Sequence, residues 1–265
     1  MTALPFNDYI MAHCRMHKGT YLDAVSDIGN GMYFAHSYRI DDFYWNFAFG
    51  LSVSLRELPE AIQSLREFSK SIHRRPTLYV TPDTKPIGIA DVLSHEQAEN
   101  EIWMVFNRPT VELKRRTYPG LEMVRIERNP PSPDFLSVFA DAYGNGPEGS
   151  PGYVGLPDNY KIAIRDSSSR EGVWCAHFVG SINRRPAAIA SVYCDPPLAG
   201  LYNVGTSHDS RRLGLGWELS VVATDYALSN GCKSVFLQTL PDSPVEALYH
   251  GIGYRRLFQG TFLVL

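Results

Sequence analysis

The chain has little of three things. Cysteine is scarce, with four residues in 265 (Cys14, Cys175, Cys194 and Cys232) and no Cys-x-x-Cys pair. A disulfide framework needs a high density of cysteine and a thiolate metal cluster needs closely spaced thiols, so neither is expected. The thiols read as reduced and mostly buried, as in a cytoplasmic protein. Positive charge is not in excess either, at 25 Lys and Arg against 28 Asp and Glu. A nucleic-acid partner calls for a basic surplus, so none is expected. Long apolar runs are the third absence. A membrane-spanning helix needs about 18 or more apolar residues in a row, and no stretch approaches that. Near the start, Asp8 stands close to Arg15 and His17 with no unbroken apolar core, so a signal peptide is not expected. His13 and His17 have the spacing of one helical face, but no third ligand accompanies them and no metal site is expected.

What the chain does have is a glycine-softened turn in a telling place. The stretch Asn203-Val204-Gly205-Thr206-Ser207-His208-Asp209-Ser210-Arg211-Arg212-Leu213-Gly214-Leu215-Gly216-Trp217-Glu218 leaves a short apolar run and enters a long amphipathic helix. Glycines at a helix mouth let main-chain N–H groups approach a bulky anion. The helix end adds partial positive charge, and Arg211 and Arg212 add full charge. The spacing excludes two common receptacles. A dinucleotide fingerprint would have a small residue where Leu219 stands, and a P-loop would continue Gly-Lys-Ser/Thr where Trp217 follows.

Around this turn the chain from Leu121 reads as strands at 122–127, 172–181, 186–195, 200–206 and 234–240. Helices are expected at 133–143, 158–165, from Leu215 to about Ser229, and after Ser243-Pro244-Val245-Glu246, a capping box with proline at the first helical position. Terminal strand character covers 261–265. Before it, 43–53 alternates Phe43, Trp45, Phe47, Phe49, Leu51 and Val53 as one strand. A helix at 58–72, a strand at 77–81, a helix at about 90–100 and a strand at 102–106 follow. The first forty residues are weakly patterned. Residues 107–120, with Lys114-Arg115-Arg116 and Pro119-Gly120, read as a junction.

Arg211-x-x-Gly214-x-Gly216 resembles the coenzyme A signature of the Gcn5-related N-acetyltransferases (the GNAT superfamily). Leu248-Tyr249-His250-Gly251-Ile252-Gly253-Tyr254 is similar to that family's second signature. The resemblance implies an α/β (α+β) GNAT fold with a mixed, mostly antiparallel sheet and flanking helices. A complete catalytic domain would span 119–265. Residues 1–118 would form a degenerate, truncated GNAT-like copy, because Leu55-Arg56-Glu57-Leu58-Pro59-Glu60 puts two carboxylates where an anion would bind. An unrelated α/β cap is the alternative for that half.

By the same resemblance, Val204, Gly205 and Thr206 would pair with the pantetheine arm of acetyl-CoA or another acyl-CoA. Arg211, Arg212, Leu213, Gly214, Leu215 and Gly216 would hold its pyrophosphate, and Tyr249 would protonate or hydrogen-bond the leaving sulfur. The implied activity is acetyl transfer to a primary amine of a small molecule by direct attack in a ternary complex. Protein N-terminal or lysine acetylation and a non-catalytic acyl-CoA sensor are the alternatives. The protein is expected to act as a monomer or homodimer. Asp195, His208, Asp209 and relayed water stay open as the base, and Tyr143 and Tyr153 as lining of the acceptor site.

Overall fold

A computed structural model describes residues 4–107, 113, 120–121, 123–144, 154–167 and 172–265. Contacts divide the chain into two compact units. The first takes residues 1–103, 238–241 and 256–265, and the second takes 104–237 and 242–255. The C-terminal strand thus belongs mostly to the first unit, so the units follow contacts rather than one cut in the chain.

The first unit opens with helix α1 (Phe6–His17), followed by strands β1 (Ala24–Gly29) and β2 (Met32–His36). The strands form an antiparallel hairpin across Asn30-Gly31, whose φ values of 54° and 75° are those a tight hairpin turn requires. That dipeptide is the signal the sequence offered within its weakly patterned opening. Residues 43–53 do not form one strand. Asp42 accepts from the Tyr44 N–H, and Asn46 donates to the carbonyls of Ile40 and Asp42. These side-chain bonds wind Phe43–Trp45 into a single tight turn and leave β3 only Phe47–Phe49.

Helix α2 (Leu58–Ser71) and strand β4 (Thr77–Val80) fall where the pattern placed them. Helix α3 is a single turn, Ile89–Val92, and β5 (Gln97–Asn107) starts five residues earlier than its apolar core suggests. Its polar beginning alternates in and out, and Thr261 Oγ1 donates to Asn100 Oδ1 at 2.7 Å. Leu58, Ala61, Ile62 and Leu65 of α2 pack with Met32, Phe34, Ala48 and Leu78 into a core. Each large aliphatic buried there contributes roughly 1.5–3 kcal/mol. No helix of the described residues is long and apolar enough to cross a membrane.

The second unit holds β6 (Met123–Glu127), α4 (Pro133–Tyr143), α5 (Asp158–Arg165), β7 (Trp174–Ile182), β8 (Arg185–Asp195), β9 (Leu198–Thr206), α6 (Leu215–Ser229), β10 (Ser234–Thr239) and α7 (Pro244–Ile252). The Ser132 hydroxyl caps α4 by accepting from Phe135 N–H, and Ser243 caps α7 by accepting from Glu246 N–H. Strand order is β10-β9-β8-β7-β6, antiparallel except for the β9–β10 pair. Gly180 lies under Leu219 of α6, and Gly205 lies under Ala142 of α4. Helices therefore cover both faces. Terminal strand character is expected over 261–265 only; the strand there, β11, runs from Arg255 to Val264 and pairs antiparallel with β4. The basic triplet 114–116, the loop 145–153 and Tyr153 lie outside the described residues.

Candidate functional site

Strand β9 begins as an ordinary interior strand and then leaves its neighbour. Its parallel pairing with β10 holds only at Leu198, Ala199 and Gly200, opposite Ser234, Val235 and Phe236. On its other side the antiparallel register with β8 slips: Ser191 faces Tyr202 while Ile189 faces Gly205. Two residues on β9, Asn203 and Val204, therefore oppose one on β8. This is a bulge, with Asn203 at φ 52°. A bulge sharpens local twist, and here it turns the end of β9 away from β10. From Leu201 to Thr206 the strand runs beyond its register with β10. Gly200 has no Cβ, and the ring of Tyr202 folds back over it toward Phe236.

Beyond Thr206 the chain makes a short turn, His208–Ser210, and enters α6. The His208 N–H donates to Asp141 Oδ2 at 2.9 Å, and its ring Nδ1 lies 3.1 Å from Asp141 Oδ1. His208 is thus anchored to α4 as part of the turn. Gly214 is the N-cap of α6 with φ 78°, a conformation that disfavours any Cβ, and no side chain caps the helix. The Glu218 N–H reaches back to the Gly214 carbonyl. Leu215 and Gly216 lie in the first turn, where amides have no carbonyl one turn earlier to bond. A Cβ on Gly216 would meet only Thr206 Oγ1, at 3.8 Å. Packing within the protein does not require that glycine. It faces open space over the first turn.

The arginines behave differently from each other. Arg211 donates through Nη2 to the Ala142 carbonyl at 2.9 Å and through Nε to the Thr206 carbonyl at 3.4 Å. Its charge closes the turn against α4 and β9. Arg212, at φ 62°, and Leu213 are exposed at the rim. Beside the turn is a cavity of about 950 Å³ lined by Ser137 and Asp141 of α4, Asn183 of the β7–β8 turn, Arg185 at the start of β8, and Ser207 and Ser210.

Tyr249 is 6% exposed on α7. Burial pushes its phenol up to about 12, opposed by a hydrogen bond with Ser220. The Ser220 hydroxyl donates to the Gly216 carbonyl at 2.6 Å, which links the phenol to the first turn of α6. Gly251 allows this approach, since a Cβ there would lie 2.6 Å from the Trp217 ring. Gly253 ends α7 at φ 129°, and the Tyr254 hydroxyl lies 2.6 Å from Thr224 Oγ1. Tyr143, at the end of α4, donates its hydroxyl to the Val204 carbonyl at 3.3 Å. The fold thus brings Val204, Gly205, Thr206, Gly214, Leu215 and Gly216 to one end of the second unit. Ser220 carried no sequence signal, because a serine in a helix interior has no pattern of its own.

The corresponding helix mouth of the first unit is closed. Ser54 donates to Glu57 Oε2 through both N–H (2.9 Å) and Oγ (2.7 Å), and Pro59 brings no N–H. His13 and His17 pack in an aromatic cluster with Tyr21 and Trp45. Among the described residues no group of three or more His, Cys, Asp or Glu is placed to hold a metal ion.

No family model matches the chain, and no curated protein matches it. Solved structures do. A GCN5-related N-acetyltransferase from Kribbella flavida matches with a TM-score of 0.65 at 17% identity, over 98% of this chain and 96% of that one. A tandem GNAT protein from the clavulanic acid biosynthesis pathway matches with a TM-score of 0.59 at 13% identity, over 87% and 77%. A GNAT-family acetyltransferase from Colwellia psychrerythraea matches with a TM-score of 0.54 at 10% identity, over 100% and 99%. At such identities the likeness establishes the fold.

Proposed function

Starting from a chain with the GNAT acetyltransferase fold, we propose that it is an acyl-CoA-dependent N-acyltransferase. It transfers acetyl from acetyl-CoA to a primary amine of a small molecule by direct attack in a ternary complex. The observation that carries this reading is the parting of β9 from β10 beside the uncapped mouth of α6. The stretch from Leu201 to Thr206, beyond the β10 register, suits the amides of a pantetheine arm, which add as a further strand would. The amides of Leu215 and Gly216 suit a pyrophosphate, each helix-end contact contributing roughly 0.3–1 kcal/mol. The cavity by Arg185 and Ser210 has the size of a nucleotide pocket and would take the adenosine end.

When bound, the thioester supplies an activated acyl carbon, and the chain's task is orientation and proton management. An alkyl amine with pKa about 10.4 is neutral about once in 2500 molecules at pH 7, a cost of about 4.6 kcal/mol unless the site desolvates it or accepts its proton. At the leaving side Tyr249 is the donor, its hydrogen turning from Ser220 Oγ to the sulfur. With its phenol up to about 12 and a thiol near 8.5, complete proton transfer would be uphill by about 5 kcal/mol. Tyr249 therefore hydrogen-bonds the departing sulfur, and the proton that finally neutralises it comes from the acceptor amine or solvent. Arg211, in this reading, keeps the turn closed rather than facing the phosphates. Glu57 at the mouth of α2 supports a first copy that has lost cofactor binding.

The test is calorimetric titration with coenzyme A and acetyl-CoA, then thiol release against a panel of small amines, an N-terminal peptide and a lysine peptide. Saturable binding with thiol release on a small amine supports the proposal. Release only on peptides moves the acceptor to protein, and binding without release from any amine leaves a sensor.

A further inference from the structure

Beneath the α4 face of the second unit runs a chain of buried polar groups that the acyl-transfer chemistry does not use. His177 on β7 and Ser191 on β8 are both 0% exposed. His177 Nδ1 lies 2.8 Å from Ser191 Oγ, and its Nε2 lies 2.7 Å from Asn129 Oδ1. The Ser167 hydroxyl donates to the same Asn129 oxygen at 2.8 Å. At the other end Asn203 Nδ2 donates to Ser191 Oγ at 3.2 Å.

The direction of every link follows from one atom. The Asn129 amide oxygen only accepts, so Nε2 must carry the hydrogen. The neutral ring then accepts at Nδ1, Ser191 donates there, and a Ser191 lone pair accepts from Asn203. Phe135 and Tyr193 enclose the ring at 4.9 and 6.0 Å between centroids. Burial lowers His177 to about 4, opposed by the Glu127 charge, so the neutral tautomer persists across ordinary pH.

The last link matters because of where Asn203 stands. It is the left-handed residue of the β9 bulge, the point at which the strand turns from β10. Asparagine tolerates that conformation better than most residues, and its side chain is held by Ser191 Oγ. We infer that His177 and Ser191 are positioning residues: through Asn203 they lock the bulge, and so aim the part of β9 that has left β10 at the thioester-bearing arm. The lock belongs to the free protein. Its consequence for ligand binding rests on the acyltransferase reading.

Two substitutions cut the Asn203–Ser191 link from its two sides. Ser191→Ala removes the hydroxyl, and Asn203→Gly removes the side chain while keeping left-handed backbone accessible. In either variant the amides from Tyr202 to Thr206 should exchange with solvent roughly three- to tenfold faster, the scale of one lost hydrogen bond. The double variant should be no faster than either single, because both changes cut one chain. Coenzyme A should bind more weakly by a similar factor. A segment that exchanges as in wild type, or single effects that multiply in the double variant, overturns the inference. A wild type that leaves coenzyme A unbound sinks the acyltransferase reading, and the exchange data still decide the tether.

Discussion

Burial shifts the protonation of Tyr249 and of Glu101, which lie in different units. Tyr249→Phe keeps the ring that packs beside Tyr254 and removes only the hydroxyl held by Ser220. Turnover should fall roughly 10²-fold or more with coenzyme A affinity unchanged; full turnover in the variant would remove the phenol from the chemistry. Because the phenol lies up near about 12, wild-type kcat should show no alkaline loss from this group between pH 7 and 10. Glu101 receives the Tyr79 hydroxyl and the Trp103 indole N–H, and burial raises its carboxyl from 4.5 to about 7. For an acid raised in the folded state, the unfolded chain ionises first. This stabilisation is therefore complete below pH 4.5 and declines as pH rises to about 7. Urea midpoints at pH 5 and pH 8 should differ in that sense, and Glu101→Gln, which keeps both accepted bonds, should narrow the difference. At this scale the sequence exposed Gly214, Gly216 and Tyr249. Arg211 was less legible, since its charge reads as phosphate-directed, yet it serves two carbonyls brought in by α4 and β9.

Among the elements, α6 was the most legible because its start and stop are both chemical: a left-handed glycine at one end and Asn230-Gly231 at the other. Its mouth also carries a sharp prediction. Gly216→Ala adds a Cβ into open space and replaces glycine by a better helix former, worth about 0.5–1 kcal/mol in a helix interior and less at an end. Unfolding midpoints should stay equal or rise, while coenzyme A affinity should drop at least tenfold, because the methyl stands where the diphosphate would lie. Equal affinity would place the anion elsewhere. The poorly read elements share a cause. Residues 43–53 have strand alternation, but Asp42 and Asn46 capture backbone groups and break it. Strand β5 begins among glutamates because β11 pairs beside it, a partner 161 residues away at the Thr261–Asn100 contact that no local window contains.

For the whole molecule, element order and the two signature turns sufficed to read the GNAT fold, and the structural matches extend along nearly the full chain. The two compact units were harder to see, since β11 is last in sequence yet lies mostly with the first unit. The contrast between the helix mouths predicts stoichiometry. With Glu57 already seated at α2 and α6 uncapped, calorimetry should count one coenzyme A per chain, and two would reinstate the first copy as a binder. The most direct measurement is a structure of the full chain with coenzyme A. The account predicts the pyrophosphate within hydrogen-bond distance of the Leu215 and Gly216 amides, and the pantetheine arm along β9 from Val204 to Thr206. A cofactor bound anywhere else, with that edge and helix mouth left bare, would contradict it.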